Sequence, residues 1–417
     1  MPDEAVTSME ALVAATTDPD RREILVRGVL TGVPSLRLSP GQSLHGEDRD
    51  ACIVFAAGTD GLQLSADNFV HDIGLHASPD KRAVFNDTGV PSLGRIELHD
   101  VTVTGQVQIL ARDEVRGGHV EIDGLDIVAA DTRAETERPQ GFGVGVLQGA
   151  FTLWNMQSDE SVTISAELVG LSAGRPSAPV RGSGIFVSGA GDTGGRLAIG
   201  CLETDGVHSD GGLAPGTADE ITGGVFTVHG AYVDLVRNRA PVVTYGVNDM
   251  ALDNWGVVDR WIVDEKITSY GPSGIGFVNF GIVNELMVHA PIETFGQGAR
   301  GFNVYTGTVN AAEFDRVVTH GDGAVGIQIS QPIGTLTVHR GIETFGATGP
   351  SLVKGKVVTL SAVALSIKPG GSAREITIAG GIRTHGAGVA PIEQFGTIDL
   401  LEISGGFGAT GGGFDKI

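Results

Sequence analysis

Among 50 acidic residues, Asp253 stands where a carboxyl group could do chemistry, two residues before Trp255 and four after Asp249. Residues two apart on a strand share a face, so a carboxyl and an indole point the same way. That pairing suits sugars, because the ring stacks on C–H faces while the carboxyl protonates a glycosidic oxygen or bonds a hydroxyl. A glycosidase needs a second carboxyl across the bond. Asp249 is one candidate partner, and Asp210, Asp219 and Glu220 in the acidic stretch 208–220 are others. His229 offers an imidazole for proton transfer. The expected catalytic set is therefore Asp253, Asp249 and His229.

The elements that would position these groups come from a repeat. Ser/Thr residues recur at 244, 269, 294, 319 and 344, a step of 25 residues, each followed two residues later by glycine. Outlying copies, Glu203-Thr204-Asp205-Gly206 and Arg383-Thr384-His385-Gly386, each stand 40 residues away. Short alternating stretches such as Ile96-Glu97-Leu98 and Val120-Glu121-Ile122 read as strands, and glycines permit tight corners. A stack of such coils rises about 4.8 Å per turn. The expected fold is all-β, a single parallel β-helix solenoid with coils of ~25 residues. Thr7-Ser8-Met9-Glu10 has capping-box spacing, which predicts a short helix over 7–16 that covers the first coil. The expected division is a cap over 1–24, the β-helix over 25–411 and a tail over 412–417.

Aligned coils place Ile185, Phe226, Leu252, Phe277, Phe302 and Ile327 in one inward column. The adjoining column, Phe186, Thr227, Asp253, Val278, Asn303 and Gln328, then faces outward. So does the column with Ser188, His229, Trp255, Phe280, Tyr305 and Ser330. Trp255, Phe280 and Tyr305 form an aromatic strip for sugar stacking, with Asn303 and Gln328 beside it as hydroxyl partners. Asp210, Asp219 and Glu220 wall the same groove from their loop. Asn254 and Asn279 are expected inward as a short ladder, and Trp261 is expected in the core. Tyr245, Tyr270, Phe295, His320 and Phe345 read as corner packing, and Gly141-Phe142-Gly143-Val144-Gly145 as a glycine-rich bend.

Ser39-Pro40-Gly41-Gln42-Ser43-Leu44-His45-Gly46 resembles the opening coil of right-handed parallel β-helices of the pectin-lyase-like superfamily. The resemblance is architectural and implies carbohydrate chemistry. Familiar signatures do not transfer: Thr319-His320-Gly321-Asp322-Gly323 matches only a fragment of the polygalacturonase-like pattern. The basic residues Arg260, Lys266, Arg300 and Arg316 are too scattered for a uronate lyase.

Composition narrows the partners. The chain of 417 residues has a net charge of −22 and no basic cluster, so nucleic acid and anionic membranes are unfavourable partners. Cys52 and Cys201 form no metal knuckle and read as small buried residues. No metal or cofactor is expected. No basic, apolar leader opens the sequence, so a cytoplasmic location is the simplest reading, with a trimmed secreted form as the alternative. The expected function is a carbohydrate-active enzyme, hydrolytic or glycosyl-transferring, working on an oligo- or polysaccharide of little charge. The alternative is a non-catalytic glycan-binding or structural solenoid, and a polysaccharide lyase is less favoured. A homo-oligomer, plausibly a trimer, suits this fold.

Overall fold

The computed structural model describes residues 5–353 and 355–411. It is almost entirely parallel β-sheet, a parallel β-helix with one short helix. Among the described residues no helix is long and apolar enough to cross a membrane. The chain packs as two compact units. The first comprises Met1–Glu135, Gln148–Gly206 and Val228–Val233; the second comprises Thr136–Leu147, Val207–Thr227 and Asp234–Ile417.

In the first unit, Glu23–Val26, Ser43–Gly46, Phe69–His76, Arg95–Thr104, Gly118–Ala129 and Thr163–Ala173 pair in parallel register. Alternation puts Ile24, Leu44, Val70, Leu98, Ile122 and Leu168 into one inward column, each at most 1% exposed. Burying a side chain of this size contributes about 1.5–3 kcal/mol, and each tier repeats it. The helix Met9–Thr17 covers the first coil, as expected, but its N-cap is Ser8. The Ser8 hydroxyl accepts from the Ala11 N–H at 3.2 Å, so the cap falls one residue beyond Thr7. Leu12 is the buried side of this helix. The wholly buried Gln42 amide ties its end to the opening coil, donating to the carbonyls of Asp18 and Arg21 at 2.9 Å.

Each coil of the second unit contributes three parallel strands. One sheet runs through Val242–Thr244, Ile267–Ser269, Ile292–Thr294, Val317–Thr319 and Ile342–Thr344 at the 25-residue step. The Ser/Thr side chains of this column are buried, and their hydroxyls are satisfied unevenly: Thr244 and Thr294 Oγ1 have no hydrogen-bond partner among the described residues, whereas two copies close a turn. Thr319 and Thr384 donate at 2.9 Å to carbonyls five residues on, closing the following turn. At Gly271, Gly296, Gly321 and Gly346, a Cβ would collide with the carbonyl of the preceding coil's glycine. Thr384 pairs with Thr344 as expected, and the extra residues between them form the antiparallel hairpin Thr348–Val353 with Lys356–Ser361. At the other end the partner of Thr244 is Ser209, so His208-Ser209-Asp210-Gly211 is the true copy and Thr204 is not.

A second correction concerns register. Val225 pairs with Leu252 and Phe226 with Asp253, one residue from the expected alignment. The outward column Phe226, Asp253, Val278 and Asn303 is wholly buried. A strand covered on both faces loses the alternation that sets register, and Phe226 is apolar enough for either side.

Candidate functional site

The expected strip exists in the second unit, but it is roofed. The residues Gln140–Gly141 and Val144–Val146 form a small antiparallel hairpin, and its turn residue Phe142 adopts φ 52°. Phe142 stacks on Phe280 with ring centroids 4.6 Å apart and meets Trp255 edge-on at 5.1 Å. Phe280 stacks in turn on Tyr305 at 5.2 Å. Trp255 is 4% and Tyr305 7% exposed. The glycine-rich bend is therefore a cover, and the ring faces meant for sugar are occupied by one another. A cavity of about 60 Å³ remains beneath it, lined by Phe142, Val278, Phe280, Arg300 and Tyr305.

The polar residues of the strip are likewise enclosed. Gln328 donates to Asn303 Oδ1 at 3.3 Å and accepts from Arg300 Nε at 3.5 Å. Neither oxygen of Asp253 has a well-aligned hydrogen bond. Burial pushes its carboxyl well above the ordinary carboxylate range, and the Trp255 indole offsets this only in part. Its column neighbours are Phe226 and Val278, neither of them an acid. Asp249 is also buried, and it knits a turn: Oδ2 accepts from the Gly246 N–H at 2.7 Å and Oδ1 from the Thr222 hydroxyl. Asp210 does converge with Asp249, because a Cβ at Gly246 would lie 2.7 Å from Asp249 Oδ2 and 2.8 Å from Asp210 Oδ1. Glu220 pairs with Arg138, and Asp219 is exposed. His229 belongs to the first unit, where its Nδ1 lies 3.7 Å from Asp192; burial lowers its pKa and Asp192 counteracts. The buried ladder holds as expected, with Asn254 donating to Asn279 at 2.8 Å. Trp261 lies wholly in the core.

The corner ladder is more exposed than expected. Tyr270, Phe295 and Phe345 are 48%, 37% and 43% exposed. Their rings stack face to face with His320 and His385 at 4.5–5.0 Å. Tyr270 stacks between Tyr245 and Phe295, Phe295 between Tyr270 and His320, and Phe345 between His320 and His385, so these rings also offer no open face for a sugar.

The open site lies elsewhere. The first unit carries a cleft of about 540 Å³ lined by Asp72, Asp100, Asp126 and Asp205 together with Arg49, Cys52, His76, Thr102 and Ser172. Four adjacent strands bend at one level, where Asp72, Asp100, Gly124 and Gly170 take φ of 53°, 50°, 80° and 70°. Aspartate tolerates this left-handed region better than most residues. Gly124 also lets the Asp100 carboxylate lie close, since a Cβ there would be 3.1 Å from Asp100 Oδ1. Asp126 is held by both oxygens, accepting from Ser172 Oγ at 2.5 Å and Arg175 Nη2 at 2.6 Å. His76 Nδ1 lies 3.0 Å from Thr104 Oγ1, and its other nitrogen lies over Gly74, beside Cys52. Burial lowers the His76 pKa and raises that of the Cys52 thiol. At neutral pH this is an uncharged imidazole beside an unionised thiol, which suits hydrogen bonding better than nucleophilic attack.

Cys52 and Cys201 are both only half-buried, which corrects the reading of them as small buried residues. The cleft was missed because its aspartates come from five coils with no common motif. Its one sequence signal is the stacking of Asp72, Asp100, Gly124 and Gly170, each a residue type that accepts positive φ. No family model, curated protein or solved structure matches this chain.

Proposed function

We propose that this protein acts on a neutral or weakly charged glycan through the aspartates of the first unit's cleft, as a glycoside hydrolase or transglycosidase of pectin-lyase-like architecture. The observation that carries this reading is an open cleft lined by five aspartates, Asp50 as well as Asp72, Asp100, Asp126 and Asp205, with Thr102, Ser172 and His76 among them. Carboxylates, hydroxyls and an imidazole together bond sugar hydroxyls in both senses, as acceptors and donors. Two carboxyl groups across a groove are also what acid–base cleavage of a glycoside requires. The net charge of −22 repels polyuronates and favours an uncharged substrate.

A second reading, glycan binding without turnover, draws on Asp126, whose two oxygens are already engaged by Ser172 and Arg175. A carboxylate fixed in this way serves as a hydroxyl acceptor as readily as a base. Incubation with a glycan panel, read by mass spectrometry beside calorimetric binding, separates the two. Asp100→Asn and Asp126→Asn are the test variants, with Asp253→Asn as a buried control. Products lost by at least tenfold in the cleft variants support the enzyme. Binding without products, weakened in the same variants, supports the binding solenoid. Activity or binding indifferent to both cleft substitutions overturns the assignment to this cleft.

A further inference from the structure

We infer that Glu97, His99 and Glu121 form a binding site for a divalent transition-metal ion. Glu97 and His99 are two residues apart on the strand Arg95–Thr104, so both face outward. The strand Gly118–Ala129 pairs beside it with Glu121 directly opposite Glu97. One ligand atom from each of the three side chains lies within 4.8 Å of the other two.

Several features make this more than a crowded charged patch. His99 Nε2 is sealed from solvent and has no hydrogen-bond partner. It stands 3.9 Å from Glu97 Oε2 and 3.8 Å from Glu121 Oε1. Those separations are too long for hydrogen bonds. They approach the roughly 3.3 Å between ligands that share a tetrahedral ion at about 2.0–2.1 Å. The edge of Phe69 holds the His99 ring at 4.9 Å. Glu97 and Glu121 are like charges directly opposed across strands, an arrangement that is unfavourable without a cation. Arg95 supplies one here, with Nε 3.1 Å from Glu97 and Nη2 against Glu121. Arg95 is half exposed and long enough to swing clear.

His119 borders this group without joining it, since only Glu97, His99 and Glu121 bring ligand atoms within 4.8 Å of one another among the described residues. His119 Nδ1 lies 2.8 Å from Ser165 Oγ, and its Nε2 lies 4.0 Å from Glu121 Oε2. One imidazole, two carboxylates and no thiolate suit Zn²⁺, Mn²⁺ or Fe²⁺. These residues precede the bend at Asp100, so the site stands independently of the glycan reading.

The test is titration of the metal-stripped full chain with Zn²⁺ by calorimetry, with X-ray absorption at the zinc edge. The expected result is one tightly bound ion per chain with nitrogen and oxygen ligands. Affinity should fall at least tenfold in His99→Ala and in Glu121→Gln, each checked for native circular dichroism. Arg95→Gln, which removes the competing cation, should bind Zn²⁺ several-fold more tightly. Absence of Zn²⁺ binding by the wild type overturns the site, as does an affinity unchanged in both His99→Ala and Glu121→Gln.

Discussion

Asp253 shows how environment decides what a carboxyl group can do. Its pKa is raised by burial, so the folded protein keeps a proton that the unfolded chain releases near its ordinary pKa. That contribution to stability is complete below the unfolded pKa and is lost as pH rises through the interval above it. Asp253→Asn removes the loss, because an amide never ionises. The variant should be more stable than wild type by about 1–3 kcal/mol at pH 7–8, with the advantage vanishing toward pH 4. Thermal unfolding followed from pH 4 to pH 8 checks this, and a pH-independent difference would refute it. Glu293 behaves in the opposite sense. Burial raises its pKa, but hydrogen bonds from Lys266 and His320 outweigh that and hold it below the ordinary value.

At the scale of the coil, the repeat is a record of contacts between successive tiers. The glycine column lies so close to the preceding carbonyls that a methyl group has no room. Gly321→Ala should therefore destabilise by about 1–3 kcal/mol or more through overpacking. Gly408→Ala is the matched control, since a Cβ there meets nothing within 4 Å. Chemical denaturation of the pair gives the comparison, and equal effects would contradict the steric account. The same tier contacts explain why both aromatic ladders are poor sugar platforms. Rings carried at one position of successive coils pack on each other, stacked or, for Trp255 and Phe280, edge-on, and the 4.5–5.7 Å spacing is satisfied within the protein. Two breaks in the tiers matter for the expected site: the short hairpin carrying Phe142, which closes over the Trp255 strip, and the hairpin Thr348–Val353 with Lys356–Ser361, whose Ser351 accepts from Arg300 and whose Leu352 lines the same cavity.

Across the molecule, stability is distributed coil by coil, because each tier leans only on its neighbours. Among the described residues of the second unit, the strand Thr397–Ile403 pairs only with Ser372–Ile378. Leu400, Leu401 and Phe407 are 47%, 37% and 51% exposed, whereas Ile376, one tier inward from Leu401, is buried. Amide exchange should therefore be fastest in Thr397–Ile403 among the long strands of that unit and slow progressively toward Val257–Val263. Uniform protection along these strands would show that the last coil is held by something else.

Much of the architecture is legible in the sequence. The 25-residue Ser/Thr-x-Gly step, the alternating strands, the covering helix and the Asn254–Asn279 ladder all follow from local chemistry. Periodicity survives translation into space when each coil repeats the same contacts. Exposure did not follow in the same way. Whether Trp255 and Asp253 face solvent depends on Phe142, more than 100 residues away in sequence, and no local pattern records that contact. The cleft at Asp72, Asp100, Asp126 and Asp205, and the Glu97–His99–Glu121 cluster, likewise join residues that share only a position in the stack. Sequence alone determined the repeating unit, because strand alternation and turn chemistry are local. Only the tertiary structure decided which outer faces stay open, because covering a face is a long-range contact.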